Sequence, residues 1–286
     1  MDFEKKHQED LQRLRGFRLL DDDFMTKVFE DISCAELLLR IILNDEGIRV
    51  LEAHSQRGIT NLQGRSVKLD ILAVDSHNRV FNVEVQRSDR GAGAKRARYN
   101  SALIDANVTE PGDQYEDLNE TFVIFITEND VMKAGLPIYH IDRVVRETGK
   151  LFEDEEHIIY VNSQIKDETK LGRLMHDFSC TDAKDMYNKV LADRVRYFKE
   201  DERGVEIMCR EMEIMRNQAH EEGIEKGRIM QLIKQVCVKM QKFSSAEEVA
   251  NDLVEQDVPL IQKIMNVAPD FAPDYNVNDI YNALKL

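Results

Sequence analysis

Ser66-Val67-Lys68-Leu69-Asp70-Ile71-Leu72-Ala73-Val74 and Phe81-Asn82-Val83-Glu84-Val85-Gln86-Arg87 are two apolar runs, each with a carboxylate inside it. Asp75-Ser76-His77-Asn78-Arg79 separates them and consists of residues that favour loops and bends, so the runs read as one β-hairpin. With Ser76 to Asn78 as the loop, Asp75 pairs with Arg79. Antiparallel partners keep a constant sum of residue numbers, and the same register sets Asp70 opposite Glu84. Directly opposed side chains have Cβ atoms roughly 4.5–5.5 Å apart. Like charges at that spacing inside an apolar strand pair are destabilising unless something neutralises them. A hard divalent cation such as Mg2+, bound through oxygen, is the simplest candidate, and pairing with arginine is the structural alternative. Because side chains alternate across a strand, Asn82, Glu84 and Gln86 share one face, which aims Gln86 into the same site.

Working outward, Asp21-Asp22-Asp23 caps apolar residues at helical spacing and predicts helices over 22–31 and 34–44, after a charged first helix. A first strand is expected over 48–53, and a helix over 91–106 against the sheet, followed by a loop at Pro111-Gly112. The near-continuous apolar run Thr121-Phe122-Val123-Ile124-Phe125-Ile126-Thr127 marks a strand buried on both faces. Two shorter strands are expected over 138–144 and 157–162. The pattern predicts an α/β class, and from Gly172 onward it is helical.

Met208, Met212, Met215 and Ala219 form a short coiled-coil-like seam that Ile233, Cys237 and Met240 resume. Such a seam cannot bury itself, so packing on the domain or on a second copy, as a homodimer, is expected. Gly223 and Gly227 predict a weak or hinged segment within it. Ser245-Ala246-Glu247-Glu248 fits a capping box, and Asp257-Val258-Pro259 opens another helix. The expected organisation is a main domain over 1–195, a helical linker over 196–242 and a small helical module over 243–286.

A net charge of -15 argues against broad nucleic-acid affinity. Its distribution is uneven, with Arg87, Arg90, Lys95, Arg96 and Arg98 set against Asp89 just after the paired carboxylates. That strip is either a solvated helix face or a phosphate-binding surface beside an acidic site. The four cysteines are scattered without a Cys-x-x-Cys pair, which suggests neither a zinc ribbon nor a disulfide framework and points to a reducing, cytoplasmic setting. The histidines show no His-x-x-x-His pair and are assigned no metal or catalytic role. No apolar run approaches the ~20 residues of a membrane span, so no membrane partner is expected.

An acid on one strand, Glu-x-Gln on the next and an acid on a preceding helix resemble the PD-(D/E)XK nuclease superfamily, with Asp70, Glu84, Gln86 and Asp23 in those places. The wider set of Asp21-Asp22-Asp23-Phe24-Met25, Arg65 to Ile71, Phe81 to Arg87, Arg96-Ala97-Arg98-Tyr99, Phe122 to Glu128 and Leu136-Pro137-Ile138-Tyr139 is similar to one group within it. That group is the PD-(D/E)XK nuclease family transposases, also called recombination-promoting nucleases. The resemblance implies a restriction-endonuclease-like mixed sheet flanked by helices with a helical C-terminal extension. It also implies Mg2+-dependent DNA cleavage, with Mn2+ as a substitute, in a bacterial recombination or mobile-element setting. In that reading Asp70, Glu84 and the Val85 carbonyl hold the metal, Gln86 positions the nucleophile, Asp23 completes the site, and Arg87, Arg96 and Arg98 meet DNA phosphates. Gln86 stands where the superfamily usually has lysine, which retains hydrogen-bonding reach but removes a charge. A catalytically silent member that binds DNA or protein through the same fold is the alternative.

Overall fold

The turn that sets the register is held by its first residue. Asp75 Oδ1 accepts from the amides of His77 and Arg79 at 2.9 and 3.0 Å, while Asp75 N donates to Arg79 O at 3.2 Å. Asn78 takes a left-handed conformation at φ 59°, which its short polar side chain tolerates. Arg79 Nε closes the unit on the fully buried Asp75 Oδ2 at 2.8 Å. The strands then pair from Val74–Val80 to Ile71–Val83, the register read from the sequence.

The computed structural model describes residues 3–61, 65–87, 91–108, 112 and 114–284, with the side chains of 3–6 and 23 outside that description. Helices α1 (Phe3–Arg15), α2 (Asp22–Phe29) and α3 (Ile32–Leu43) precede strands β1 (Val50–Ile59), β2 (Val67–Asp75) and β3 (Val80–Gln86). Then come α4 (Ala94–Val108), β4 (Thr121–Thr127), β5 (Ile138–Ile141), β6 (Glu156–Asn162), α5 (Lys170–Ser179) and α6 (Lys189–Glu200). Among the described residues the strands form one six-stranded mixed sheet in the order β1-β2-β3-β4-β6-β5. The β3–β4 and β4–β6 pairs are parallel and the others antiparallel. A parallel pair needs a crossover, and α4 supplies it between β3 and β4.

β4 is buried along its whole length, as its continuous apolar run requires. On one face Ala97, Leu103 and Ile104 of α4 pack with Val80, Val123, Phe125 and Tyr160, and the Phe125 and Tyr160 rings stack at 5.3 Å. Strand residues of the opposite parity, Ile71, Ala73, Phe81 and Val83, are buried on the other side. There α2 and α3 lie on β1 and β2, and Phe24 and Phe29 of α2 meet Phe198 of α6 and Phe178 of α5. β1 runs six residues past the expected end at Ala53, to Ile59, because β2 offers it a full-length antiparallel partner.

The chain divides into two compact units, Met1–Cys209 and Arg210–Leu286, with the division falling inside α7 (Glu202–Lys239). Gly223 and Gly227 sit within this continuous helix, so the expected weak point is not a break. Each glycine costs roughly 1 kcal/mol, and 38 residues of propagating helix absorb that. In the second unit α8 (Ala246–Leu253) carries the expected capping box: Glu248 N donates to Ser245 Oγ and Ser245 N to Glu248 Oε2. Asp257 caps α9 (Val258–Val267), and α10 (Val277–Leu284) adds Ile280 to a core of Ile233, Val236, Val249, Ile261 and Ile264. No helix among the described residues is long and apolar enough to cross a membrane.

The turn gives a direct test of what fixes the hairpin. Asn78→Val should cost roughly 1–2 kcal/mol through the left-handed backbone, whereas Asn78→Gly should be close to neutral, as read by urea denaturation.

Candidate functional site

The β2–β3 ladder stops at Ile71–Val83. The same register would next pair Asp70 with Glu84, but there Val85 N donates to Asp70 Oδ2 at 3.0 Å and Asp70 N to Glu84 Oε1 at 3.4 Å. Two carboxylates thus receive main-chain donors where the strands part, and the facing acids expected from the register converge there. Glu84 is fully buried, and Asp70 retains 8% exposure.

α4 completes the surroundings of Glu84. Arg96 Nη2 donates to Glu84 Oε2 at 2.5 Å, and Asn82 Nδ2 donates to Glu84 Oε1 at 3.0 Å. Asn100, one helical turn beyond Arg96, donates to Asn82 Oδ1 at 3.2 Å and so fixes the orientation of that amide. Arg96 Nη1 also reaches Gln86 Oε1 at 3.3 Å and Gly91 O at 3.0 Å. A Cβ at position 91 would lie 1.7 Å from Gln86 Oε1, so any other residue there would displace the Gln86 amide from this position. Arg96, expected on the phosphate backbone, therefore lies inside the carboxylate site as the bridge between Glu84 and Gln86.

Electrostatics follow from two buried carboxylates set against one guanidinium. Burial first, then the charges of Glu84 and Asp22, push the Asp70 carboxyl up from 3.8 to about 8. Burial also raises Glu84, against the opposing effects of the Asn82 hydrogen bond and the Arg96 charge. Asp22, the first residue of α2, bears on both carboxyls and is also met by Gln56 Nε2 at 3.4 Å. Sequence reading placed Asp23 in the site; it lies in α2 with its side chain outside the described residues, and Asp22 was passed over. Three consecutive acids at a helix start leave the choice to the helix's rotation, which a sequence does not state.

Arg87 is held away from the pair. It bridges Asp21 at 2.9 Å and Glu128 at 3.4 Å, and Arg18 meets the same Glu128 at 3.1 Å, which ties the start of α2 to the ends of β3 and β4. Arg98 is exposed on α4, while Asp89 and Arg90 of the basic strip lie outside the described residues. The pair, together with the Val85 carbonyl between Glu84 and Gln86, offers only hard oxygen donors, a set that suits Mg2+ or Mn2+ better than a soft ion. Two buried carboxylates with one cationic neighbour among the described residues also leave a charge deficit that such an ion would fill.

The sequence pattern of the PD-(D/E)XK nuclease family transposases matches residues 38–221, which take in the hairpin, α4 and the rest of the sheet. No curated protein and no solved structure matches the chain.

The raised Asp70 carboxyl fixes the sign of a pH effect. A group that holds its proton more tightly when folded contributes stability at low pH, and that stability is lost as pH climbs from about 4 through about 8. With chelator present, the melting temperature should fall across the upper part of this range, and Asp70→Asn should flatten the fall. Calorimetric melting at several pH values reads the difference.

Proposed function

From the premise that this chain belongs to the PD-(D/E)XK nuclease family transposases, we propose that it hydrolyses DNA phosphodiester bonds at the Asp70, Glu84 and Gln86 site. Asp70, Glu84 and the Val85 carbonyl would hold one or two divalent ions, Mg2+ or Mn2+. When bound, such an ion lowers the pKa of water and offsets charge on the scissile phosphate. The observation that carries the reading is the convergence of two buried carboxylates at the open end of the hairpin, beside a glutamine on the same strand face.

The roles of the side chains follow from their hydrogen bonds. Arg96 donates to Gln86 Oε1, so the Gln86 amide presents its NH2 end as a donor toward a phosphate oxygen or the oxygen of the attacking water. Arg96 also restores the positive charge that glutamine removes at the place where the superfamily has lysine. A planar guanidinium suits that double task, since it meets Glu84 and Gln86 through different nitrogens. Asp22 or Asp23 adds negative charge from the start of α2. Lys95 and Arg98, both exposed on α4, are the remaining strip residues for backbone phosphates among those described. The recombination or mobile-element setting belongs to the same proposal and rests on the family name.

A second reading has its own observation. The 2.5 Å ion pair satisfies Glu84 Oε2 without a metal, and the chain carries a net charge of -15. Both suit a member that keeps the fold to bind DNA or a protein and no longer cuts.

Plasmid nicking in Mg2+ or Mn2+ separates the two readings. Wild-type protein should nick, and Asp70→Ala and Glu84→Gln should each lower the rate by about 100-fold or more, a loss of the size seen when one electrostatic contact to the transition state is removed. Arg96→Met should also slow the reaction and, by leaving Glu84 buried without its partner, cost roughly 3 kcal/mol of stability. Equal nicking by wild type and Asp70→Ala would place the chemistry elsewhere, and no nicking by wild type would favour the silent reading.

A further inference from the structure

The C-terminal end of α5 brings together three side chains of mixed donor type, well separated in sequence from the carboxylate pair. His176 is in the last turn, Asp177 follows it, and Cys180 is the C-cap. One ligand atom from each lies within 4.8 Å of the other two, the only such His, Cys, Asp or Glu group found among the described residues. His176 Nδ1 is 3.5 Å from Cys180 Sγ and 3.6 Å from Asp177 Oδ1.

These separations can be compared with a zinc site. Tetrahedral zinc with Zn–S of about 2.3 Å and Zn–N or Zn–O of about 2.0–2.1 Å has ligand-to-ligand edges of roughly 3.3–3.6 Å. The two measured edges at His176 Nδ1 fall at that value. The third, between Asp177 and Cys180, is within 4.8 Å.

The supporting groups are also in place. Asp177 is fully buried, and its oxygens accept from Tyr187 N at 2.7 Å, Asn188 N at 2.8 Å and Asn188 Nδ2 at 2.7 Å. Oδ1 takes one of these three donors and keeps a lone pair, the usual state of a hydrogen-bonded ligating carboxylate. The His176 ring packs on the Tyr187 ring with centroids 4.8 Å apart, and the Arg173 guanidinium lies over the Tyr187 ring, 5.3 Å from its centroid. His176 keeps 35% of its side chain exposed, so an ion has a route in from solvent.

We propose that His176 Nδ1, Asp177 Oδ1 and Cys180 Sγ form a site for a thiophilic transition ion, Zn2+ above all, with water in the fourth position. The thiolate and imidazole select such an ion against Mg2+, which the all-oxygen pair at Asp70 and Glu84 suits. The ion pins the end of α5 beneath the segment that carries Tyr187 and Asn188, and cleavage chemistry is not assigned to it.

Co2+ added to the full-length, chelator-treated protein tests the site, because thiolate ligation gives a near-ultraviolet charge-transfer band and tetrahedral geometry gives intense visible bands. The wild type should show both at one equivalent, Zn2+ should abolish them, and excess Mg2+ should leave them unchanged. Cys180→Ser should remove the charge-transfer band. His176→Gln should weaken Co2+ binding by more than the roughly 10–100-fold that losing an outer partner of a ligand costs. Circular dichroism of both variants confirms that they remain folded. Absence of the band in wild type, or its persistence in Cys180→Ser through Cys34, Cys209 or Cys237, overturns the proposal.

Discussion

Burying two carboxylates side by side is the constraint on which the rest of this structure turns. Neither Asp70 nor Glu84 can occupy an apolar strand pair without donors, and the fold supplies them in a definite order. The Asp75 turn sets the register, the ladder opens after Ile71–Val83, and the freed Val85 amide becomes a hydrogen bond to Asp70. α4 must then cross over between parallel strands, which brings Arg96 and Asn100 onto the face where Glu84 and Asn82 lie. The crossover that the sheet topology demands is thus also the element that partly neutralises the site.

Neutralisation is incomplete, and this separates the proposed site from an ordinary ion pair. Arg79 with Asp75, at the other end of the hairpin, is a balanced pair: the turn amides and the arginine hold the Asp75 carboxyl below its ordinary value despite its burial. At Asp70 the balance is reversed. Burial and neighbouring acids outweigh one main-chain donor and a shared guanidinium, and the carboxyl is pushed up. Strongly perturbed acids with a named charge partner are where function concentrates, although structural networks perturb acids as well.

Much of this was legible in the sequence because it depended on local chemistry. Asp-Ser-His-Asn-Arg is a turn whatever surrounds it, strand alternation then placed Glu84 and Gln86 together, and β4 announced its burial by a run with no polar interruption. The capping box at Ser245 was equally local. What escaped depended on distance or rotation. Arg96 reads as a member of a surface strip, and only the path of α4 directs it inward. Asp22 and Asp23 cannot be ranked without the phase of α2. Gly91 matters because Gln86 folds back against it, and α10 was not read at all. Gly223 and Gly227 lower helix propensity locally, yet α7 runs through both without a break.

Asp70 and Glu84 are proposed to form a cation site held partly protonated until an ion arrives. Titration of Mn2+ into chelator-treated protein near pH 7, in two buffers of different ionisation enthalpy, measures both binding and the protons exchanged. Binding with release of a proton is expected, because burial and the neighbouring acids push the Asp70 carboxyl up to about 8 without metal, and both should be lost in Asp70→Asn. Binding that releases no proton, or that survives Asp70→Asn unchanged, would contradict it.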